Sequence, residues 1–163
     1  MTAKTRVRPP AVAGRFYPAD PAVLAAAVDG FVTDDATGPI PKALIVPHAG
    51  YPYSGPVAGR GYATLRAGRD QIERVVLLGP VHYVPVRGLA TTSADRWATP
   101  LGDVDIDDDA RRTVLDLPNV EIGDGAHAPE HSLEVHLPFL QRSLTRFRLL
   151  PLVVGHTDAD TVA

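Results

Sequence analysis

Three short apolar runs, each stopped by proline or glycine, constrain the fold of this chain more than any other feature. Ala43, Leu44, Ile45 and Val46 end at Pro47. Val75, Val76, Leu77 and Leu78 end at Gly79-Pro80. A third run occupies residues 149–154 and ends at Gly155. Such runs are too short for independent helices and fit strands buried on both faces. Between them the periodicity turns helical. Asp20-Pro21 reads as an N-cap and first helical position, followed by Leu24, Ala27, Val28 and Phe31 at helical spacing. A polar linker follows over residues 33–41. Further helices are expected over residues 57–65, 107–117 and 132–146. In the second, acidic residues precede arginines, as the helix macrodipole favours. In the third, Pro138 should kink or restart the helix. Residues 88–93 and 120–122 are weaker strand candidates, and Pro151 argues for an edge or irregular strand at 149–154. Strands alternating with helices imply an α/β fold with a largely parallel sheet.

Composition narrows the function. With 163 residues and 45% hydrophobic content, one domain spanning residues 1–163 has material for a real core. A net charge of −3 leaves no basic excess to neutralise a phosphate backbone, so nucleic acid is a poor partner. No cysteine is present, which removes disulfides, thiolate metal sites and a cysteine nucleophile from this chain. No apolar run approaches a membrane span and no signal peptide is readable, so a cytoplasmic protein is expected. Residues 155–163 read as a strand exit and then a helix start capped by Asp158 or Asp160, after which the sequence stops. That pattern leads us to expect a sheet incomplete at its C-terminal end, and a chain prone to association through the apolar face left open.

The histidines carry the chemistry. His48, His82 and His156 each follow one of the three apolar runs within a few residues. In open α/β sheets ligands bind beyond the carboxyl ends of the strands, so these positions bring imidazoles to one rim. Imidazole serves there as a metal ligand or an acid–base group. The segment from Glu130 to Pro138 is the second dense patch. If it is helical, His131 and Glu134 share a face, as base and hydrogen-bond partner or as support for a metal site; an ordinary solvated helix start is the plainer alternative. Asp107-Asp108-Asp109 suits a helix cap better than a calcium loop. Trp97 is expected to be an anchor in the core or a loop.

Four segments together resemble one family. Pro47-His48-Ala49-Gly50-Tyr51-Pro52-Tyr53-Ser54-Gly55 is similar to the P-H-A-G-Y-x-Y-S/C-G loop of the Memo family. Leu78-Gly79-Pro80-Val81-His82 resembles its L-G-P-x-H motif. Glu130-His131-Ser132-Leu133-Glu134-Val135-His136-Leu137-Pro138 resembles its E-H-S-x-E-x-x-L-P segment, and Ala13-Gly14-Arg15-Phe16-Tyr17 its A-G-x-F/W-Y opening. In bacteria and archaea the family is also labelled AmmeMemoRadiSam system protein B.

The resemblance implies a three-layer αβα sandwich like that of the class III extradiol dioxygenases. It implies that His48 and His82 are metal ligands, that His131 and Glu134 lie close by as catalytic residues, and that Tyr51, Tyr53 and Tyr83 face a substrate. It implies iron as Fe(II), with copper the alternative, and oxidoreductase or dioxygenase-like chemistry on a small aromatic molecule. Association with the other AmmeMemoRadiSam proteins follows from the same label. Family members run further at the C-terminus. That part carries an S-D-x-x-H motif and the third metal ligand, which leads us to expect weak metal binding and no turnover in the present chain. The alternative function is non-enzymatic: a module that takes a peptide or protein tail in the same cleft.

Overall fold

The computed structural model describes residues 5–33 and 38–158. In chain order the elements are β1 (Val7–Arg8), α1 (Pro21–Phe31), α2 (Tyr51–Ala63), β2 (Arg74–Pro80), β3 (Leu89–Thr91), β4 (Arg96–Thr99), β5 (Gly102–Asp105), α3 (Asp108–Leu115), β6 (Val120–Ile122), α4 (Asp124–His127), α5 (Leu137–Ser143) and β7 (Arg148–Val154). A four-stranded sheet has the order β2-β7-β3-β6, and a three-stranded sheet the order β1-β4-β5.

The expected three-layer α/β class is the one seen. Side chains alternate along β7. Leu149 and Val153 point into the main core with Leu24 and Val28 of α1, Ala58 and Tyr62 of α2, and Phe139 of α5. Leu150 and Leu152 point the other way, with Ala110 and Val114 of α3 packed against them. Helices therefore cover both faces of β7. The pairing is mixed: β7 is parallel to β2 but antiparallel to β3.

Local signals explain most element boundaries. The Asp20 carboxylate accepts from the Val23 amide and starts α1. The Asp107 carboxylate accepts from the Ala110 amide and starts α3, as the cap reading expected. Pro138 sits in the first turn of α5, after a separate 3-10 turn at Glu134–His136, so it restarts the helix instead of bending it. In α2, a Cβ on Gly59 would lie 2.3 Å from the Phe31 carbonyl oxygen, so only glycine lets α1 and α2 approach this closely.

Several expectations need correction. Residues 47–55 are not one loop: α2 begins at Tyr51, with Pro52 in its first turn, where no amide donor is needed. Strand β7 is central, not an edge. It accommodates Pro151 because β3 pairs only with Val153 and Val154 and leaves the neighbouring stretch free of that ladder. Residues 43–46 form no strand: Leu44 and Val46 lie against Gly61 of α2, and Ile45 is 99% exposed. Part of the expected linker and Asp160 lie outside the described residues, and Asp158 opens no helix among them.

A buried ion pair ties the N-terminal segment to the segment between α4 and α5. Glu134 is 0% exposed. Its carboxylate accepts from Arg8 Nη1 at 2.7 Å, the Ala11 amide at 2.7 Å, the Val12 amide at 3.0 Å and the Tyr17 hydroxyl at 2.7 Å. The Arg8 guanidinium also donates to the carbonyls of His127 and Glu130 and lies 4.4 Å over the Trp97 ring. Removing one partner leaves the other charge buried and unpaired. Glu134→Ala is expected to cost about 3–5 kcal/mol of stability, read as a fall in the urea midpoint. A loss typical of a surface substitution would show that the pair is not a structural clamp.

Candidate metal centre

Three imidazoles meet at one edge of the sheet. His48 lies in the short loop before α2, and His82 lies two residues beyond β2. His131 lies between α4 and the 3-10 turn at Glu134–His136. Ring centroids are 5.4 Å apart for His48 and His82, 6.0 Å for His48 and His131, and 4.4 Å for His82 and His131. One nitrogen from each ring can be chosen so that all three lie within 4.8 Å of one another. His156 does not join them. It stands in a bridge with Arg87 and lines a separate small cavity with His82, so of the three histidines expected at strand exits His48 and His82 reach the site, and of these two only His82 follows a strand.

Glu130 organises the cluster, and sequence reasoning did not pick it out. One carboxylate oxygen accepts from the His82 amide at 2.6 Å. The other lies 2.9 Å from His82 Nδ1 and accepts from the amides of His131 and Ser132, both at 2.9 Å. Burial pushes this carboxyl upward, but the amides of Ser132 and His82 and the His82 ring outweigh it and hold it below the ordinary range. A carboxylate at Nδ1 assigns the proton to that nitrogen and leaves Nε2 of His82 with a free lone pair. The available signal was that Glu130 precedes His131 directly. A helical reading of the segment hid it by pairing Glu134 with His131.

Electrostatics favour neutral rings. Burial lowers the His48 pKa, and His82 close by lowers it further. Burial also lowers that of His131, with Glu130 opposing and His82 and His48 reinforcing. His131 Nδ1 is buried without a hydrogen-bond partner; Glu130 Oε1 is 3.3 Å away but poorly aligned. Unprotonated imidazoles with a free buried nitrogen are the donor set of a divalent transition metal, so the residues present fit one.

The other expected site residues divide. Tyr53 is 86% exposed and lines an open cavity of about 540 Å³ with Phe16, His48 and His131. Tyr83 packs edge-on against His131 at 5.8 Å. Tyr51 faces the core instead: it is buried against Phe139 and donates to the Val135 carbonyl at 2.9 Å, and burial raises its pKa. Glu134 is likewise withdrawn from the cleft, because every acceptor position on its carboxylate is engaged by the clamp described above.

Two further histidines are buried outside the cluster. His127 packs against Trp97 and His136 against Tyr62; burial drops both pKa values to about 4. Both lie below the unfolded value of 6.5, so the unfolded chain binds more protons between pH 6.5 and about 4. Stability from these residues is thus fully present above pH 6.5 and is lost as pH falls through this window. His127→Phe is expected to reduce the pH dependence of the urea midpoint by about one proton. An unchanged slope would mean that His127 is not held neutral.

The sequence that builds this site matches a known family. The sequence profile described as Memo-like protein matches residues 8–163. A MEMO1 family protein of Aquifex aeolicus is 46% identical over 159 residues, covering 95% of this chain and 57% of the relative. One from Ignicoccus hospitalis is 43% identical over 161 residues, covering 91% and 56%. One from Archaeoglobus fulgidus is 39% identical over 161 residues, covering 95% and 57%. The chain belongs to the Memo family, and it spans little more than half the length of these relatives. Among the described residues no helix is long and apolar enough to cross a membrane.

Proposed function

We propose that this chain is the metal-binding portion of a Memo-family oxidoreductase, with His48, His82 and His131 as the nitrogen donors. The observation that carries the reading is the convergence of three imidazoles within 4.8 Å, one of them oriented by a buried carboxylate. Fe(II) is the preferred ion and copper the alternative, since imidazole suits both. Such an ion supplies redox chemistry and Lewis acidity toward a bound small molecule. Tyr53 and Tyr83 offer flat walls for an aromatic substrate at the open side. Glu130 holds the His82 tautomer and raises its basicity. Compartment and partners are carried by the family resemblance: a cytoplasmic protein working with the other AmmeMemoRadiSam components.

The test is anaerobic titration with Fe(II), and separately with Cu(II), followed by elemental analysis. Wild type is expected to take up about one ion per chain, and His48→Ala, His82→Ala to take up none. Glu130→Gln is expected to weaken affinity about 10- to 100-fold. His131→Ala separates two roles for that ring. Lost binding makes it a ligand; retained binding leaves His48 and His82 as the donors and His131 free for acid–base work. Equal uptake by wild type and the double variant would sink the metal reading and favour a metal-free cleft that binds a peptide or protein tail.

A further inference from the structure

The chain has five tyrosines, and their surroundings differ in what they offer a phenolic proton. Tyr53 and Tyr83 are exposed to solvent. Tyr62 packs flat on Phe139 in the core. Tyr51 is buried and donates to the Val135 carbonyl, a group too weakly basic to take its proton. Tyr17 is also buried, but its hydroxyl donates at 2.7 Å to Glu134 Oε1, part of a fully buried carboxylate held ionised by Arg8. Burial and the Glu134 charge raise the Tyr17 pKa, so the phenol does not ionise on its own. The position of Tyr17 is as specific as its partner. The preceding residue, Phe16, packs on His131 at 4.5 Å and lines the cavity beside the histidine cluster. The Tyr17 ring lies next, 5.6 Å from that of Tyr51.

A phenol gives up an electron readily only when its proton can leave in the same step, to a base already in hydrogen-bond reach. The geometry points to Tyr17 as a redox-active tyrosine that takes up oxidising equivalents generated at the histidine cluster, with Glu134 as its proton acceptor. This rests on the metal reading above. The oxidant is a peroxide. Hydrogen peroxide at the Fe(II)-loaded cluster takes one electron from the ion and one from the Tyr17 ring, and leaves as two hydroxides. The Tyr17 O–H bond breaks, and its proton forms a new O–H bond on Glu134, so the hydrogen bond reverses. Arg8 keeps the His127 and Glu130 carbonyls as partners while Glu134 is protonated. The Arg8 charge opposes the step, which is why an oxidant as strong as a peroxide is required. One electron from a thiol or ascorbate, with the proton returned by Glu134, restores the phenol. His48, His82 and His131 are thereby spared oxidation.

The first experiment needs no metal. The full chain, carrying Tyr53→Phe and Tyr83→Phe to remove the exposed phenols, is oxidised with flash-generated tris(bipyridine)ruthenium(III) and frozen for electron paramagnetic resonance. A tyrosyl signal is expected, identified by its narrowing when ring-deuterated tyrosine is incorporated. Tyr17→Phe is expected to abolish it and Tyr62→Phe to leave it. Its formation is expected to slow in D2O, because an O–H bond breaks in the step. In the second experiment the Fe(II)-loaded wild-type chain meets hydrogen peroxide, and oxygen addition at His48, His82 and His131 is followed by mass spectrometry. Tyr17→Phe leaves the Arg8–Glu134 pair in place and is expected to increase that damage. A signal that survives Tyr17→Phe would overturn the inference, as would equal histidine damage in the two iron-loaded chains. Elemental analysis before the peroxide separates the two failures. A wild-type chain without iron sinks the proposed function and this inference with it; an iron-loaded chain with no Tyr17 effect sinks this inference alone.

Discussion

The Arg8–Glu134 pair is the contact on which the site depends. It joins the first ordered strand to a segment more than a hundred residues later, and each partner is saturated by hydrogen bonds, as a buried charge requires. Arg8 holds the Glu130 carbonyl while the Glu130 side chain holds His82 and the His131 amide. The clamp therefore sets the backbone from which both the orienting carboxylate and one ring of the cluster project. A buried pair of this kind contributes less net stability than its Coulomb energy suggests. Its value here is positional: few other arrangements satisfy both charges.

The cluster itself joins three chain segments that no short motif connects. Where the loop carrying His48 turns into α2, the Tyr51 amide donates to the Phe16 carbonyl at 2.8 Å. Phe16 in turn packs against His131 at 4.5 Å. The A-G-x-F-Y opening is thus a wedge between the two halves of the site. Burial favours the neutral form of His48 and His131, and the Glu130 carboxylate orients the His82 ring. The result is three ring nitrogens within 4.8 Å of one another, beside an open cavity that Tyr53 lines.

Legibility differed by the kind of signal. Caps and prolines act within one turn, so Asp20, Asp107 and Pro138 could be read in place. Strands β1, β4 and β5 carry Arg and Asp among their few residues and show no apolar run, so they were missed; β4 and β5 pair as a short hairpin, and β1 takes its register from β4, distant in sequence. Tyr51 and Glu134 stand inside motifs whose other members face the cleft, and periodicity does not tell which residue of a motif points inward. Glu130 was hidden because the segment after it begins as turns before α5, which breaks the spacing that a continuous helix implies.

The amino-acid sequence determined the layer architecture, the starts of α1 and α3 and the strand that leads to His82, because hydrophobic period and capping act over a few residues and need no distant partner. Tertiary structure alone decided that His131 joins His48 and His82, that Glu130 and not Glu134 serves them, and that residues 43–46 stand unpaired beside β2. Each of those outcomes is a matter of which distant groups satisfy a buried charge or a backbone edge, and that depends on the packing of the whole chain.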